Sequence, residues 1–461
     1  MLEERMQYTE DLIIVEPSSG VQPGVLVCYL DGLVDPMKLE NLQLSVDGQG
    51  ENRTSLYKQV PVPTVEEAVH RLAQGYTVII NSPAGTGTAI ETLGVQLRSV
   101  EEPSSEVTVK GPRSGFTESM QNNLALIRFH FPSPELKVEC RNVGKLSQTQ
   151  IAVLSVGGLT NTEIVREVHR RIEEIPLDSI LSSNYLEEWI TDNKYTLFPL
   201  IETTERPDRV AGALLDGRVA VLVQGCPFVL LLPFVFLQAF QVSEDYNWNF
   251  YIGSVIRLLR LFSGLIGLFL PAFYVATITY HHELVPTPLL QSIAAAKEPV
   301  PFPAVVESFA MMIAFEIMRE AGVRMPKQVG QAVSIVGALI LGQAAVQAGI
   351  VSPIMVIVAA LTGICTFTLS PTAVNYVIRM LQFGMTVFAA LLGYVGIMVA
   401  AILLLTYLAS LRSFGVPYLG PVAPFDLSGL TDVLVRRPLV VHDKLPRLFK
   451  PLRTYRFRSK R

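Results

Sequence analysis

A long stretch without any charged side chain constrains this chain more than any other feature of its sequence. It runs from Gln328 to Ile378, whereas about 20 apolar residues are enough for a helix to cross a bilayer. The residues just before it, 303–327, mix apolar side chains with Glu, Arg and Lys. So sharp a change predicts that the chain enters lipid here. We therefore expect an integral membrane protein with its functional centre around these residues.

Apolar residues are unevenly spread over the 461 residues. The mean hydropathy is +0.38 and only 17% of residues are charged. Residues 1–216 nevertheless mix polar and apolar side chains, while residues 255–411 are typical of membrane helices. The four cysteines show no CxxC spacing, so we interpret them as reduced and structural. Residues 1–10 lack the apolar core of a signal peptide, and we expect the first half to remain in the cytoplasm.

The first half carries two copies of one α/β unit, each a strand ending in a glycine turn, then a helix, then a second strand. The first copy occupies residues 25–32, 65–74 and 76–80. The same order returns at residues 151–158, 208–215 and 218–223. The repeat predicts duplicated α/β subdomains.

The uncharged run Val219–Ser243 is long enough to cross a bilayer. It begins, however, as the counterpart of a strand in the first copy, and Gly225, Pro227 and Pro233 interrupt any helix. We expect a buried strand followed by an apolar segment at the bilayer surface, not a span.

Four spans are expected in the second half: Leu261–Tyr280, Val329–Ile350, Pro353–Leu369 and one long, tilted span, Met380–Leu411. Arg257 and Arg260 precede the first span, which places that end in the cytoplasm. Four spans then leave the first half and the arginine-rich residues 436–461 on the same side, where a basic tail would meet anionic headgroups.

Residues 299–327 are expected not to cross the bilayer. Glu307 and Glu316 would make a lipid-facing crossing costly, and a fifth crossing would put the basic tail outside. We expect an amphipathic or re-entrant segment packed against protein.

Two sets of polar residues around this segment are candidate sites. Small and polar side chains share one face of the second span, which indicates either close helix packing or, in an oligomer, the lining of an aqueous path: Gln331, Ser334, Ala338, Gly342 and Ala345. Charged side chains just before it predict a local ion-pair network with Glu320–Arg324 at i, i+4, on a solvated helix face or in a charged vestibule: Glu307, Glu316, Arg319, Glu320 and Arg324.

A third candidate lies in the first half, at residues 111–118. Thr117 and Glu118 are expected to open a helix, with Arg113 holding the loop before it. The alternative is a contact of Arg113 and Glu118 with another subunit or a ligand.

Several long motifs in this order resemble the A-subunits of the GerA-type germinant receptors of spore-forming bacteria. They are GPRSGFTES (111–119), ERPDRVAGALLDGRVAVLV (205–223), SEDYNWNFYIGSVIRLLR (243–260), FEIMREAGVRMPKQVGQAVSIVGALILGQAAVQAGIVSP (315–353) and LASLRSFGVPYLGPVAPF (408–425). The resemblance implies a two-part cytoplasmic α/β domain and a polytopic helical membrane domain. It also implies a complex in the spore inner membrane with a transporter-like B-subunit and a lipoprotein C-subunit.

The fold expected is therefore two cytoplasmic α/β subdomains, 1–110 and 111–243, an all-α membrane domain, 244–415, and a basic cytoplasmic tail, 416–461. The function that the resemblance implies is an oligomeric, nutrient-gated cation channel that starts germination. The alternative is a non-conducting scaffold that couples the nutrient-binding subunit to another channel. A secondary transporter is disfavoured, because the membrane half shows no internal repeat.

Catalysis is not expected. The sequence has no nucleophile elbow, no HExxH motif and no P-loop lysine after the glycine turn at residues 85–88. Its six histidines follow no metal-binding spacing. We expect no cofactor, no metal and no nucleic-acid partner.

Overall fold

The computed structural model describes residues 2–16, 25–46, 57–81, 86–94, 108–325, 342–369, 373–438 and 444–456, with the single residues 103, 106 and 440. Two five-stranded antiparallel sheets come first in the chain, and a region of long helices follows them. The residues after the last long helix return to the second sheet.

The first sheet has the strand order β1-β2-β4-β5-β3, and every neighbouring pair is antiparallel. One face packs against α3, whose buried residues Ala68 and Leu72 meet Cys28 and Val78. The strands are β1 (Leu12–Val15), β2 (Val25–Leu30), β3 (Gln59–Val62), β4 (Tyr76–Asn81) and β5 (Thr86–Glu91), and the helices are α1 (Leu2–Arg5), α2 (Pro36–Val46) and α3 (Val65–Ala73).

The second sheet repeats this plan, because its order is β6-β7-β9-β10-β8 and all its pairs are antiparallel. Alternate residues of β7 enter different cores, Ile151 on one face and Ala152 on the other. The strands are β6 (Leu136–Val143), β7 (Thr149–Val156), β8 (Glu202–Thr204), β9 (Val219–Val223) and β10 (Val229–Leu232), and the helices are α4 (Met120–His130), α5 (Thr162–Glu173), α6 (Ser183–Ile190) and α7 (Pro207–Leu215).

The predicted repeat is confirmed by this shared strand order and by backbone conformation. Gly75 and Gly217, which lie between helix and strand in each copy, have φ angles of +85° and +83°. A side chain is strained in this left-handed region, so both copies need glycine at this position. The run from Val219 forms β9 and β10 and a 3-10 turn at Phe236–Phe240. The prediction that it is not a span is also confirmed.

The helical region contains α8 (Phe250–Tyr280), α9 (Thr287–Lys297), α10 (Ala304–Arg324), α11 (Pro353–Phe367) and α12 (Ala373–Ser410). Among the described residues, α8 and α12 are the two helices long and apolar enough to cross a membrane, and α11 is apolar but shorter. Residues 342–347 are also helical. The rest of the second predicted span falls outside the described residues.

Helix α11 runs antiparallel to α8, because Tyr274 meets Ser352 at one end and Gly267 meets Thr366 at the other. Helix α10 runs beside α11 in the same direction. Glu307 accepts a hydrogen bond from the Ser352 amide. Eight residues further along α10 and fifteen further along α11, the rings of Phe315 and Phe367 lie 6.2 Å apart. Residues 304–324 are thus a continuous helix packed against protein, not a re-entrant segment.

Helix α12 is folded back on itself at Gly393. This residue has φ +61° and ψ −139°, outside any helix, and Gly396 lies against the Phe388 carbonyl. A straight helix of 38 residues would be about 57 Å long. Instead, Leu369 before it and Tyr418 after it both lie beside the 3-10 turn at Phe236–Phe240.

The single long span predicted over Met380–Leu411 is therefore wrong. The halves, 373–392 and 394–410, form a hairpin whose tip contacts His281 at the end of α8. Gly393 lies in an apolar run without a neighbouring proline or charged residue, so the sequence gives no turn signal there. The reversal of the chain instead depends on how the tip packs against His281.

The C-terminal residues pack on the second sheet. A short hairpin, β11 (Arg412–Ser413) and β12 (Val416–Pro417), precedes α13 (Leu427–Leu434). Phe414, Val416 and Phe449 are buried in one core of the second sheet. Arg453 and Arg456 pair with Glu135 and Asp216. These two arginines bind protein carboxylates, whereas the sequence placed the basic tail at lipid headgroups.

Candidate functional site

Charged side chains lie between α10 and α12 in a cluster that we call the central cluster: Glu316, Arg319, Tyr376, Arg379 and Gln382. The Arg319 guanidinium donates to Glu316 Oε2 at 3.0 and 2.5 Å, and Arg379 Nη1 lies 3.9 Å from the same oxygen. Arg379 stacks 4.7 Å from the centre of the Tyr376 ring. Charges among apolar helices are costly, and they mark functional sites in membrane proteins.

Two features leave the central cluster incompletely satisfied. Two guanidinium groups share one carboxylate, so the cluster carries an excess positive charge. Arg379 Nη1 and Gln382 Oε1 are buried without a hydrogen bond within the described part of the chain. The cavity beside them, between α10, α11 and α12, has a volume of about 10 Å³. That is roughly the space of a single water molecule.

A second group, the outer cluster, joins the other end of these helices: Tyr274, Lys297, Glu307 and Ser352. Glu307 is only 1% exposed. Its Oε2 accepts from the Ser352 amide at 2.9 Å, and Lys297 Nζ lies 3.3 Å from Oε1. Because Ser352 is the N-cap of α11, the carboxylate also faces the positive end of a helix. The cluster ties α8, α9, α10 and α11 together.

A third group, the junction cluster, connects the second sheet to α8: Asp245, Tyr246, Arg257, Arg260, Asp432 and Arg436. Asp245, 2% exposed, accepts from Arg257 Nε at 3.1 Å and from Arg260 Nη2 at 3.2 Å. Tyr246 donates to Asp432 at 2.8 Å. Arg436 donates to the Trp248 carbonyl at 2.9 Å. The residues between the second sheet and α8, helix α8 itself and the C-terminal residues therefore meet in one ionic network.

The sequence placed Arg257 and Arg260 before the first span, as positive charges on its cytoplasmic side. In the structure both lie within α8. Both are buried and neutralised by Asp245. A cavity of about 390 Å³ lies beside Tyr246 of the junction cluster, and Glu202 and Arg209 also line it. Burial would raise the pKa of Glu202, but Arg209 and Arg218 hold it below its usual value.

The five predicted vestibule residues all lie on α10, but at different levels. Glu316 and Arg319 belong to the central cluster and Glu307 to the outer cluster. Glu320 and Arg324 form the predicted i, i+4 pair at 2.7 Å with side chains 54% and 78% exposed. That ion pair is confirmed, and it lies on a solvated face.

Of the five predicted pore residues, Gln331, Ser334 and Ala338 lie outside the described residues. Gly342 is buried, and a side chain there would meet Val356 of α11 at 3.3 Å. Ala345 is half-buried. Gln343 and Gln347, on a different face, are exposed.

The two predicted contact residues of the first half, Arg113 and Glu118, are exposed. The helix after them begins at Met120, as expected, and Ser119 is its N-cap. The Glu118 carbonyl accepts from the Gly225 amide at 3.0 Å. These residues lie in the loop before α4, and neither belongs to the three clusters.

Sequence reasoning missed Arg379, Gln382, Asp245 and Asp432. A signal existed for Arg379, because it is the lone charge between Gln328 and Leu411, and isolated charges in apolar helices are functional candidates. For Asp245 no local signal exists, since its partners lie 12 and 15 residues along the chain in another element. Among the described residues no three His, Cys, Asp or Glu side chains come together as a metal site requires.

Residues 1–448 match the family described as Bacillus/Clostridium GerA spore germination protein. The chain belongs to the GerA family. The matched range includes the residues of all three clusters.

Several relatives in this GerA family cover most of the chain. Spore germination protein KA of Bacillus subtilis (strain 168) is 44% identical over 453 residues, 95% of this chain and 83% of its own length. Spore germination protein XA of Bacillus anthracis is 35% identical, over 94% of this chain and 90% of its own. The membrane protein YfkQ of Bacillus subtilis (strain 168) is 40% identical, over 89% and 83%.

A crystal structure of the N-terminal domain of the A subunit of the Bacillus megaterium spore germinant receptor GerK3 also matches. It is 27% identical with a TM-score of 0.40, and the match covers 51% of this chain and 92% of that domain.

Proposed function

We propose that this GerA-family protein is the A-subunit of a nutrient germinant receptor in the spore inner membrane, where copies of it assemble into a ligand-gated cation channel that starts germination. A transporter-like B-subunit and a lipoprotein C-subunit would complete the receptor. The observation that carries the proposal is the central cluster, an incompletely satisfied set of charges between apolar helices in which Arg379 is buried and Glu316 and Arg319 are half-buried.

The central cluster has the chemistry of a closed gate. Glu316 is its one carboxylate, and Arg319 and Arg379 neutralise it. A cation passing this level would need Glu316 free of at least one guanidinium. Arg379 is the weaker partner at 3.9 Å, against 2.5 Å for Arg319. A small separation of α10 from α12 would therefore release Arg379 first.

Several copies are needed for conduction. The cavity at the central cluster, about 10 Å³, holds one water molecule and no hydrated ion. Gln343 and Gln347 are exposed beside α11 in the single copy, and polar side chains of this kind line aqueous paths. Neighbouring copies would bring such faces together, with Gln331, Ser334, Ala338, Gly342 and Ala345 on the same segment.

The hairpin of α12 supports a proposed membrane topology. Both its ends lie beside the 3-10 turn at Phe236–Phe240, which leads from the second sheet. We infer that the α/β half and the C-terminal tail lie on one side, the cytoplasm, and that each half of α12 crosses the bilayer. The junction cluster then transmits movement of the α/β half to α8.

The test is current through the purified receptor in planar bilayers. We expect Glu316→Gln to change cation conductance or gating, because it removes the carboxylate that cations would meet. Glu320→Gln, on the same helix but exposed, is the matched control and should conduct like the parent. Equal currents from both variants would remove the central cluster from the path. An assembled receptor without current would favour the non-conducting scaffold.

A further inference from the structure

The loop between α6 and β8 exposes large side chains at the base of the helical hairpin. Tyr195 is 97% exposed and Leu197 is 57% exposed. Between them Thr196 accepts a hydrogen bond of 2.9 Å from the Tyr407 hydroxyl, near the end of α12. Phe198 is buried in the core that the second sheet shares with α8 and α12. The loop is therefore fixed to the hairpin on one side and open on the other.

The exposed side of this loop is continuous with the apolar surface of α12. Ile402, Leu403 and Leu405 are each 56% exposed, and they precede Tyr407 by two to five residues. In the proposed function this surface faces lipid. Because Tyr407 holds Thr196 directly, the side chains of Tyr195 and Leu197 lie where that lipid-facing surface ends.

The composition of the segment fits the headgroup layer of a bilayer. Lys194 Nζ lies 4.0 Å from the centre of the Trp189 ring, and Trp, Tyr and Lys concentrate where membrane helices meet water. The nearby Asp192 is neutralised by Arg171 at 2.8 Å. The segment therefore offers aromatic rings, an aliphatic side chain and an exposed ammonium group.

We propose that Trp189, Lys194, Tyr195 and Leu197 form an interfacial anchor, which inserts into the headgroup layer of the membrane and holds the second sheet against it. The anchor rests on the proposed function in one respect, that α12 crosses the bilayer. It adds a lipid-binding surface on the α/β half itself, outside the helices.

The test uses the full chain reconstituted in phosphatidylcholine and phosphatidylglycerol vesicles, with lipids brominated near the headgroup as quenchers of tryptophan fluorescence. In Tyr195→Trp the new indole replaces the exposed ring. The matched control is Leu146→Trp, 80% exposed in the β6–β7 turn. That turn lies at the far end of the second sheet, because Ile151 beside it pairs with Val223, whereas the end that leads to the helices has Leu232 against Val219.

All tryptophan variants are made in a Trp189→Phe, Trp248→Phe background, because these are the two native tryptophans and Trp189 belongs to the proposed anchor. In this background we expect several-fold stronger quenching by brominated lipid in Tyr195→Trp than in Leu146→Trp. A third variant, Leu403→Trp, reports on α12 and separates the two proposals. Quenching in Leu403→Trp with none in Tyr195→Trp would overturn the anchor and leave the membrane function standing. No quenching in either would overturn both. If the new indole of Tyr195→Trp is shielded from lipid and also from aqueous acrylamide, a protein partner covers it, which overturns the anchor as well.

Discussion

The two α/β subdomains share one strand order, yet among the described residues it is the second that packs against the helical region. Its β9 and β10 are buried along their whole length, with a core on each face. One core includes Phe414 and Phe449 from the C-terminal residues. In β4, the counterpart of β9, most of the residues are only partly buried. Of the two copies of the fold, the first subdomain is thus peripheral and the second connects to the helices.

A buried carboxylate paired with arginine connects the first sheet to the second, and another connects the second sheet to α8. Asp11 accepts two bonds of 2.8 Å from Arg128 of α4, which joins the first sheet to the second. Asp245 faces two arginines, Arg257 and Arg260, which joins the second sheet to α8. We therefore predict that the Asp245 ion pairs contribute more to stability than the Asp11 ion pair. We also predict that removing each one affects a different part of the protein.

The largest effect is expected from Asp245→Ala. It leaves Arg257 and Arg260 buried without their carboxylate, and breaking a buried ion pair typically costs about 3–5 kcal/mol. We expect a large loss of stability in detergent, measured as a shift of the denaturant midpoint. Glu320→Gln, in an exposed ion pair, should change stability by less than about 0.5 kcal/mol. Similar small losses in both variants would mean that the junction cluster does not hold α8.

A smaller and more local effect is expected from Asp11→Asn. The amide keeps the shape but leaves the buried Arg128 without its charge partner, so we expect a loss of about 3 kcal/mol. Hydrogen exchange should rise in β1 and α4 and stay unchanged in β9 and β10. Asp31→Asn is the control, because Asp31 reaches the same helix only through an exposed bond of 3.4 Å from Gln121. Faster exchange throughout the second sheet would contradict the peripheral role of the first.

The plan of both sheets could be predicted from the sequence because local patterns carry it. A strand, a Gly turn and a helix recur, and each is decided within a few residues. Thr64, for example, caps α3 by accepting from the Glu67 amide. The repeat also distinguished β9 from a membrane span, since its counterpart in the first copy is an ordinary strand.

The helical half was less predictable because its decisive contacts are distant in the chain. Gly393 looks like any glycine of an apolar helix, and its reversal depends on the tip packing against His281. Arg257 looks like a charge at a membrane surface, yet Asp432, whose carbonyl it contacts, lies far along the sequence. Charge patterns report neither burial depth nor partner.

A capping difference separates the matching helices α3 and α7 and should produce a modest effect. Thr64 caps α3, whereas Arg206, at the N-cap of α7, makes no cap bond and binds Asp208 at 2.8 Å instead. Thr64→Ala should cost about 1 kcal/mol and speed amide exchange in the first turn of α3. Thr64→Ser keeps the cap and should resemble the parent. Unchanged exchange in Thr64→Ala would mean that packing alone sets this helix end.

The smallest effect is expected on α6, which has no counterpart in the described part of the first subdomain, and it depends on pH. Burial raises the pKa of Glu187 from 4.5 to about 7. The folded state therefore holds this proton more tightly than the unfolded state, and the resulting stability is present below pH 4.5 and lost as pH rises through about 7. Glu187→Gln should raise stability at about pH 8, by under about 1 kcal/mol because water screens the half-buried group, and leave it unchanged at about pH 4. Thermal unfolding at both pH values measures this, with the exposed neighbour variant Glu188→Gln as control. If the parent and Glu187→Gln lose the same stability between the two pH values, the Glu187 carboxylate is solvated. In that case α6 adds no pH dependence to the second subdomain.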